Sequence, residues 1–186
     1  MRQDPDVIMI GEIRDTETAN VAVQMVLTGH LVLTQLHAGT APGALMRLLD
    51  MGLEPFLVNQ SVLGVISQRL VRILCPACKR PTTPNRDSLP PDAITVVEKM
   101  GGTFYEPVGC SACKNLAYQG RRAIQEILIA DEGTRQAVAT SNLAMIRNAA
   151  RQAGMRTLLE DGLALAAQGI TSISEVLRVA ITGPHE

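Results

Sequence analysis

Four cysteines stand in two pairs, Cys75-Pro76-Ala77-Cys78 and Cys110-Ser111-Ala112-Cys113, with 31 residues between them. Each pair can present two thiolates from one turn, and four thiolates complete the tetrahedral shell of a structural Zn2+, leaving no open position for catalysis. Lys79, Arg80 and Lys114 would offset the negative charge of such a centre. A thioredoxin-like dithiol would need one pair at the start of a βαβ unit, and structural disulfides are uncommon in a reducing compartment, so zinc is the favoured reading. A second set consists of Glu12 and His37, each placed just after a short apolar run. A carboxylate beyond the C-terminal end of a buried parallel strand sits where open α/β sheets place their ligand chemistry. There it can orient an attacking water or a magnesium-bound water during phosphoryl transfer. The imidazole of His37 can donate to a terminal phosphate. The competing readings are structural: a loop start for Glu12, a packed imidazole for His37. Arg14, Arg69 and Arg72 are candidates for phosphate or intersubunit contacts through bidentate guanidinium pairing.

The elements that must position these groups follow from periodicity. Asp6-Val7-Ile8-Met9-Ile10 is a nearly continuous apolar run that predicts a strand buried on both faces, ended by Gly11 and Glu12. Asp15 can cap a helix in which Ala19, Ala22, Val23, Val26 and Leu27 share one face, with Gly29 as its stop. Leu31 to Leu36 predicts a second buried strand, giving a βαβ unit whose parallel strands bring Glu12 and His37 to one edge. His30 falls at the other end of that second strand and on its opposite face, so the two histidines should not share a metal.

Beyond His37 the pattern predicts a helix through Leu45, Leu48 and Leu49 that stops at Gly52, and another from Pro55. Val65 to Leu74 and Arg121 to Ile129 read as strands. Pro76, Pro81, Pro84, Pro90 and Pro91 crowd the cysteine region, which predicts irregular backbone in need of a staple. The remainder reads as helical, with Asn142 as one cap and Ser172 with Glu175 as a capping box. Three segments result: 1–74, an α/β core; 75–120, a zinc-binding subdomain; and 121–186, a mostly helical region.

Composition removes several classes of function. The chain of 186 residues carries 17 Lys+Arg against 18 Asp+Glu, which argues against a polybasic nucleic-acid binder, although the cysteine region holds a local basic excess. Only Phe56, Phe104, Tyr105 and Tyr118 are aromatic, too few for a base-stacking platform. No apolar run is long enough to span a bilayer and Met1-Arg2-Gln3-Asp4-Pro5 is unlike a signal peptide, so the expected location is cytoplasmic.

Arg2 to Asp15, with Asp6-Val7-Ile8-Met9-Ile10-Gly11-Glu12-Ile13-Arg14 at its centre, closely resembles the Walker B segment of the bacterial type II secretion and type IV pilus assembly ATPases. Thr28-Gly29-His30-Leu31-Val32-Leu33-Thr34-Gln35-Leu36-His37 resembles their histidine box, and Leu48 to Phe56, Gln68 to Arg72 and the paired cysteines continue the similarity in family order. The cysteines match the secretion and pilus-extension branch; the retraction branch generally lacks them. The resemblance implies a partial RecA-like P-loop NTPase core with a four-cysteine zinc subdomain and a helical C-terminal region, working as a hexameric ring. Its cycle would drive pilin or pseudopilin assembly through an inner-membrane platform protein, from a cytoplasmic position peripheral to that membrane. Carried over, Glu12 is the Walker B glutamate and His37 the histidine near the γ-phosphate. Arg14 and His30, in the same two motifs, are assigned to nucleotide binding, and Cys75, Cys78, Cys110 and Cys113 to zinc.

Two departures qualify the match. No Gly-x-x-x-x-Gly-Lys-Ser/Thr and no Gly-Lys dipeptide occurs, so the loop and lysine that cradle phosphates are absent from this sequence. The family places that loop upstream, so the chain is expected to be the C-terminal half of the motor, inactive alone, binding ATP and Mg2+ only with the upstream half. An unpaired sheet edge should then be exposed. The second departure follows the zinc pair, where the usual Thr-Gly-Tyr-x-Gly-Arg is Leu116-Ala117-Tyr118-Gln119-Gly120-Arg121, leaving the local turn open. The rival readings are a non-catalytic zinc-stabilised module docking the platform protein, and a zinc-ribbon nucleic-acid binder. The balance of charge excludes nucleic acid from the expected partners.

Overall fold

The computed structural model describes residues 5–181. Arg2, Gln3 and Asp4 of the first motif, and most of the segment read as leaderless, lie outside the described residues. The chain folds into two compact units, each assembled from separated stretches. One runs to Ser67 and resumes over Ile127–Met155; the other comprises Gln68–Glu126 and continues from Arg156.

In the first unit β1 (Val7–Ile10) and β2 (Leu31–Thr34) pair in parallel, with Val7 opposite Leu31 and Ile10 opposite Thr34. The connecting helix α1 (Thr16–Leu27) starts where Asp15 accepts the Thr18 N–H at 2.8 Å, which satisfies one of the free donors of the first turn. It ends at Thr28, and Gly29 takes the left-handed turn that a side chain would resist. Helices α2 (Ala41–Asp50) and α3 (Pro55–Ser61) follow, and α5 (Glu132–Val138) and α6 (Leu143–Gln152) return to the same core, where Ile13, Val23, Leu45, Val58, Leu128, Val138 and Ile146 are buried together.

The expectation that β1 and β2 are buried on both faces is corrected. Two-residue alternation splits them into a face carrying Ile10 and Val32, which packs on the core, and a face carrying Val7, Met9, Leu31 and Leu33, of which Met9 is 72% exposed. Val7, Met9, Leu31 and Leu33 are all exposed, so this second apolar face is left open to solvent among the described residues.

Strand β3 (Gly64–Leu74) confirms the strand reading of its segment: Ser67, Val71 and Leu74 are buried while Ile66 and Leu70 point out. It pairs with β6 (Tyr118–Ile129), and the chain changes unit within each of these strands. The second unit adds an antiparallel pair, β4 (Arg80–Thr82) with β5 (Phe104–Glu106), and the helices α4 (Pro91–Met100), α7 (Leu158–Ala167) and α8 (Ile173–Ala180). The proline-rich stretch is more regular than its composition suggests. Pro91 stands in the first turn of α4, where proline has no N–H to waste, and Ala93, Val96 and Val97 supply an apolar face. At Gly162 a Cβ would lie 2.6 Å from Val176 Cγ1, so glycine is what lets α7 and α8 approach. Among the described residues no helix is long and apolar enough to cross a membrane.

The capping box expected at α8 forms only in half. Ser172 Oγ accepts the Glu175 N–H at 3.2 Å, but the Glu175 carboxylate turns inward, 1% exposed. It accepts from the Arg72 N–H at 3.1 Å, from Arg72 Nη2 at 2.6 Å, and from Arg178 Nε and Nη2 at 2.9 and 2.8 Å. Burial opposes its charge, yet these donors outweigh burial and hold the carboxyl down at about 2. Arg72 also lies 4.2 Å from the Tyr118 ring centre, and Thr171 Oγ1 donates to the Arg72 carbonyl at 2.8 Å. This arginine is therefore committed to the fold of its own unit.

A carboxyl depressed on folding adds stability that is complete above its unfolded value and disappears as pH falls through the folded one. Glu175→Ala should cost about 1–3 kcal/mol at pH 7, because the Arg72 N–H loses its acceptor and the charge-assisted bonds to two half-exposed guanidinium groups are lost. In urea melts, that deficit relative to wild type should narrow steadily as the pH is lowered from about 5 toward 2.

Candidate functional site

Gly11 and Glu12 continue directly from β1, and the pairing with the second strand does not stop where the strands formally end: the Ile13 N–H donates to the Gln35 carbonyl at 2.9 Å. Ile13 is buried, so in this extended segment its neighbours Glu12 and Arg14 share the opposite, open side. His37 follows Gln35 by two residues and Thr40 then caps α2 by accepting the Gly43 N–H at 3.1 Å, which fixes the far end of the loop.

The two groups selected from sequence meet. His37 Nε2 donates to Glu12 Oε2 at 3.0 Å, and Arg14 Nη2 donates to the other oxygen, Oε1. Both carboxylate oxygens are thus held by groups that stand in solvent, Arg14 at 73% and His37 at 88% side-chain exposure. The Arg14 hydrogen bond is the largest influence and, with a smaller contribution from His37, outweighs the opposing effect of burial and keeps the Glu12 carboxyl below its usual range. The arrangement offers an ionised acid, an imidazole and a guanidinium on one exposed ledge at the C-terminal ends of two parallel strands. His30 does not join it. At the opposite end of β2 its Nδ1 lies 2.9 Å from the Met25 carbonyl and 3.1 Å from Thr28 Oγ1, where it completes the C-terminus of α1. Arg69 contacts the Gln68 carbonyl, and Arg72 is bound to Glu175.

The four cysteine sulfurs also converge, all within 4.8 Å of one another. Two sulfur pairs are measured by their contacts: Cys78 to Cys113 at 3.9 Å and Cys110 to Cys113 at 3.8 Å. Four sulfurs at about 2.3 Å from a central ion would stand about 3.8 Å apart, whereas a disulfide needs about 2.05 Å. The cysteines are free thiols and the donor set fits a metal ion. Each pair forms a tight turn, with the Cys78 N–H on the Cys75 carbonyl at 3.3 Å and the Cys113 N–H on the Cys110 carbonyl at 3.2 Å. The Cys75 N–H donates to the Ala117 carbonyl at 2.9 Å and joins the two turns. Burial resists ionisation of Cys113, but backbone N–H groups of Cys110 and Ala117 and the neighbouring thiols lower it to about 7. Burial dominates at Cys78 and lifts it to about 11.

Lys79 and Arg80, expected to balance the thiolates, have other partners. Lys79 Nζ donates to the Gly169 carbonyl at 2.8 Å just past α7 and lies over the Tyr105 ring, and Arg80 faces Glu106 at 3.7 Å. The altered turn after the second pair is also resolved: Lys114, Asn115 and Ala117 all have positive φ, and Ala117, at 62°, occupies the position where the resemblance leads one to expect glycine.

A family model described as "Type II/IV secretion system protein" matches residues 1–178. The chain belongs to that family. The type IV pilus assembly ATPase PilB of Thermus thermophilus is 46% identical over 178 residues, covering 95% of this chain and 20% of that protein. The type II secretion system protein E of Dickeya dadantii is 46% identical over 183 residues, covering 96% and 35%. The chain thus spans about a fifth to a third of the length of these curated relatives. Among solved structures, the pilus retraction motor PilT with bound ADP superposes with a TM-score of 0.64 at 24% identity, over 98% of this chain and 41% of that one. The ATPase DotB of Yersinia pseudotuberculosis gives 0.65 at 18%, over 97% and 38%. At such identities these likenesses establish the fold, an α/β ATPase fold, and the family membership rests on the sequence match. The resemblance read from the motifs is borne out at the level of the secretion and pilus ATPase family.

A methyl group in the left-handed region costs about 1–2 kcal/mol, partly offset by the chain entropy of glycine. Ala117→Gly should therefore stabilise the chain by about 0.5–1 kcal/mol, visible as a higher melting temperature with unchanged metal content.

Proposed function

We propose that this chain supplies the acid and imidazole half of the nucleotide site of a hexameric motor ATPase that drives pilin or pseudopilin assembly in type IV pilus biogenesis or type II secretion. The observation that carries this reading is the 3.0 Å contact between Glu12 and His37 at the tips of adjacent parallel strands. Glu12 orients the attacking water; His37 donates to the terminal phosphate; Arg14 adds a second cation. As water attacks, its oxygen bonds to the terminal phosphorus and the bridging P–O bond breaks with its electrons leaving on ADP. The phosphate-cradling loop, and Mg2+ with its charge compensation, belong to an upstream half, so the chain by itself is inactive. The uncovered face of Val7, Met9, Leu31 and Leu33 supports that reading, because a parallel strand pair this apolar is stable when both faces are packed.

Within this reading residues 1–74 form part of a RecA-like core, 75–120 a zinc-binding subdomain on Cys75, Cys78, Cys110 and Cys113, and 121–186 the helical region. The motor works on the cytoplasmic side of the inner membrane through a platform protein. A docking role for the zinc subdomain is favoured by one feature: Leu116, beside the second cysteine pair, is 68% exposed.

Mixing the chain with its upstream half should restore ATP hydrolysis. Glu12→Gln should then lower kcat by about 100-fold and His37→Ala by about 10-fold or more. Full activity in both variants would refute the assignment. Elemental analysis should find one zinc per chain, lost on Cys75→Ser or Cys113→Ser, and chelation should lower the melting temperature.

A further inference from the structure

The nucleotide reading leaves one contact unexplained. Each oxygen of Glu12 accepts one hydrogen bond, Oε1 from Arg14 and Oε2 from His37, so a water can still be received, but a carboxylate whose charge is shared with a guanidinium is a weaker acceptor for it. The three residues are not equally fixed. Glu12 is anchored by its neighbour Ile13, which is buried and bonded to the Gln35 carbonyl, whereas the Arg14 side chain is 73% exposed and has no second acidic partner among the described residues. The side chain that can move is the guanidinium, and its planar fork pairs with phosphate oxygens as well as it does with a carboxylate.

We propose that Arg14 is an exchangeable clamp: without a terminal phosphate it holds Oε1 of Glu12, and when a nucleoside triphosphate binds it transfers to that phosphate, leaving Glu12 a stronger acceptor for the attacking water. This inference rests on the nucleotide reading above and adds to it a device that couples the readiness of the acid to the presence of the substrate. No bond is made or broken in the transfer; one charge-assisted hydrogen bond is exchanged for another. Glu12 and the terminal phosphate compete for the same cation, and competition of this kind has a thermodynamic signature, because removing one competitor must strengthen the other partnership.

The test is a double-mutant cycle on triphosphate binding in the complete motor, the chain together with its upstream half, using a non-hydrolysable ATP analogue with ADP as the control. Glu12→Gln should tighten analogue binding about 5- to 10-fold while leaving ADP affinity within about twofold, since the neutral amide releases Arg14. In the Arg14→Ala background the same Glu12→Gln change should give a gain at least threefold smaller, and Arg14→Ala alone should weaken the analogue more than ADP. Arg14→Gln is the second variant if the alanine form is poorly folded. An equal gain in both backgrounds, or equal effects on the analogue and ADP, overturns the clamp. That failure is distinct from failure of the nucleotide reading, which would show as undiminished hydrolysis by Glu12→Gln.

Discussion

The first unit depends on a single extension of parallel pairing. Two strands of four residues each would ordinarily release their chains in different directions, but the hydrogen bond from the Ile13 N–H to the Gln35 carbonyl carries the register one step further. Because Ile13 is buried, the residues on either side of it are forced outward, and a carboxylate, a guanidinium and an imidazole gather on one ledge. An apolar residue with no chemistry of its own thus sets the geometry of three that have it.

The second unit solves a different problem, that of small hydrophobic clusters. Its cores are small: Ala93, Phe104, Leu163, Ala166 and Val176 in one, Val71, Ile124, Leu158 and Leu165 in another. Polar devices supplement them. Glu175 is a buried anion satisfied by four donors, and the sulfur cluster draws two loops to one point. Such devices add little net energy when complete but penalise any arrangement that leaves them incomplete, so they favour one fold over its near neighbours.

What the sequence disclosed divides along the range of the forces involved. The β1–α1–β2 unit, the Asp15 and Asn142 caps and the β3 strand are written in short-range periodicity and capping chemistry, and the structure reproduces them. The meeting of Glu12 and His37 was also legible, since parallel strands put their ends on one edge. Less could be read where a partner lies far along the chain. Glu175 looks like half of a capping box until Arg72, 103 residues away, claims its carboxylate. Lys79 looks like a counter-charge for sulfur until Gly169 offers a carbonyl. The prolines concealed α4 because a residue that breaks a helix interior is welcome in its first turn. Burial of β1 and β2 was overread, because an apolar run specifies a demand for cover and not what supplies it.

The hydrogen bond between the Cys75 N–H and the Ala117 carbonyl has a topological meaning. The polypeptide leaves the β3–β6 ribbon at Cys75 and rejoins it at Ala117 on a single rung, so everything between is a side excursion with adjoining roots. A gene could shed or acquire that excursion and reseal the ribbon with a tight hairpin, without rethreading any other element. The toll would fall on the underside, where Leu163, Ala166 and Val176 would lose Ala93 and Phe104 and need new neighbours or more polar replacements. Evolutionary gain or loss of the cysteine-bearing appendage should therefore be accompanied by compensating changes on α7 and α8, and need leave no trace at Glu12 or His37.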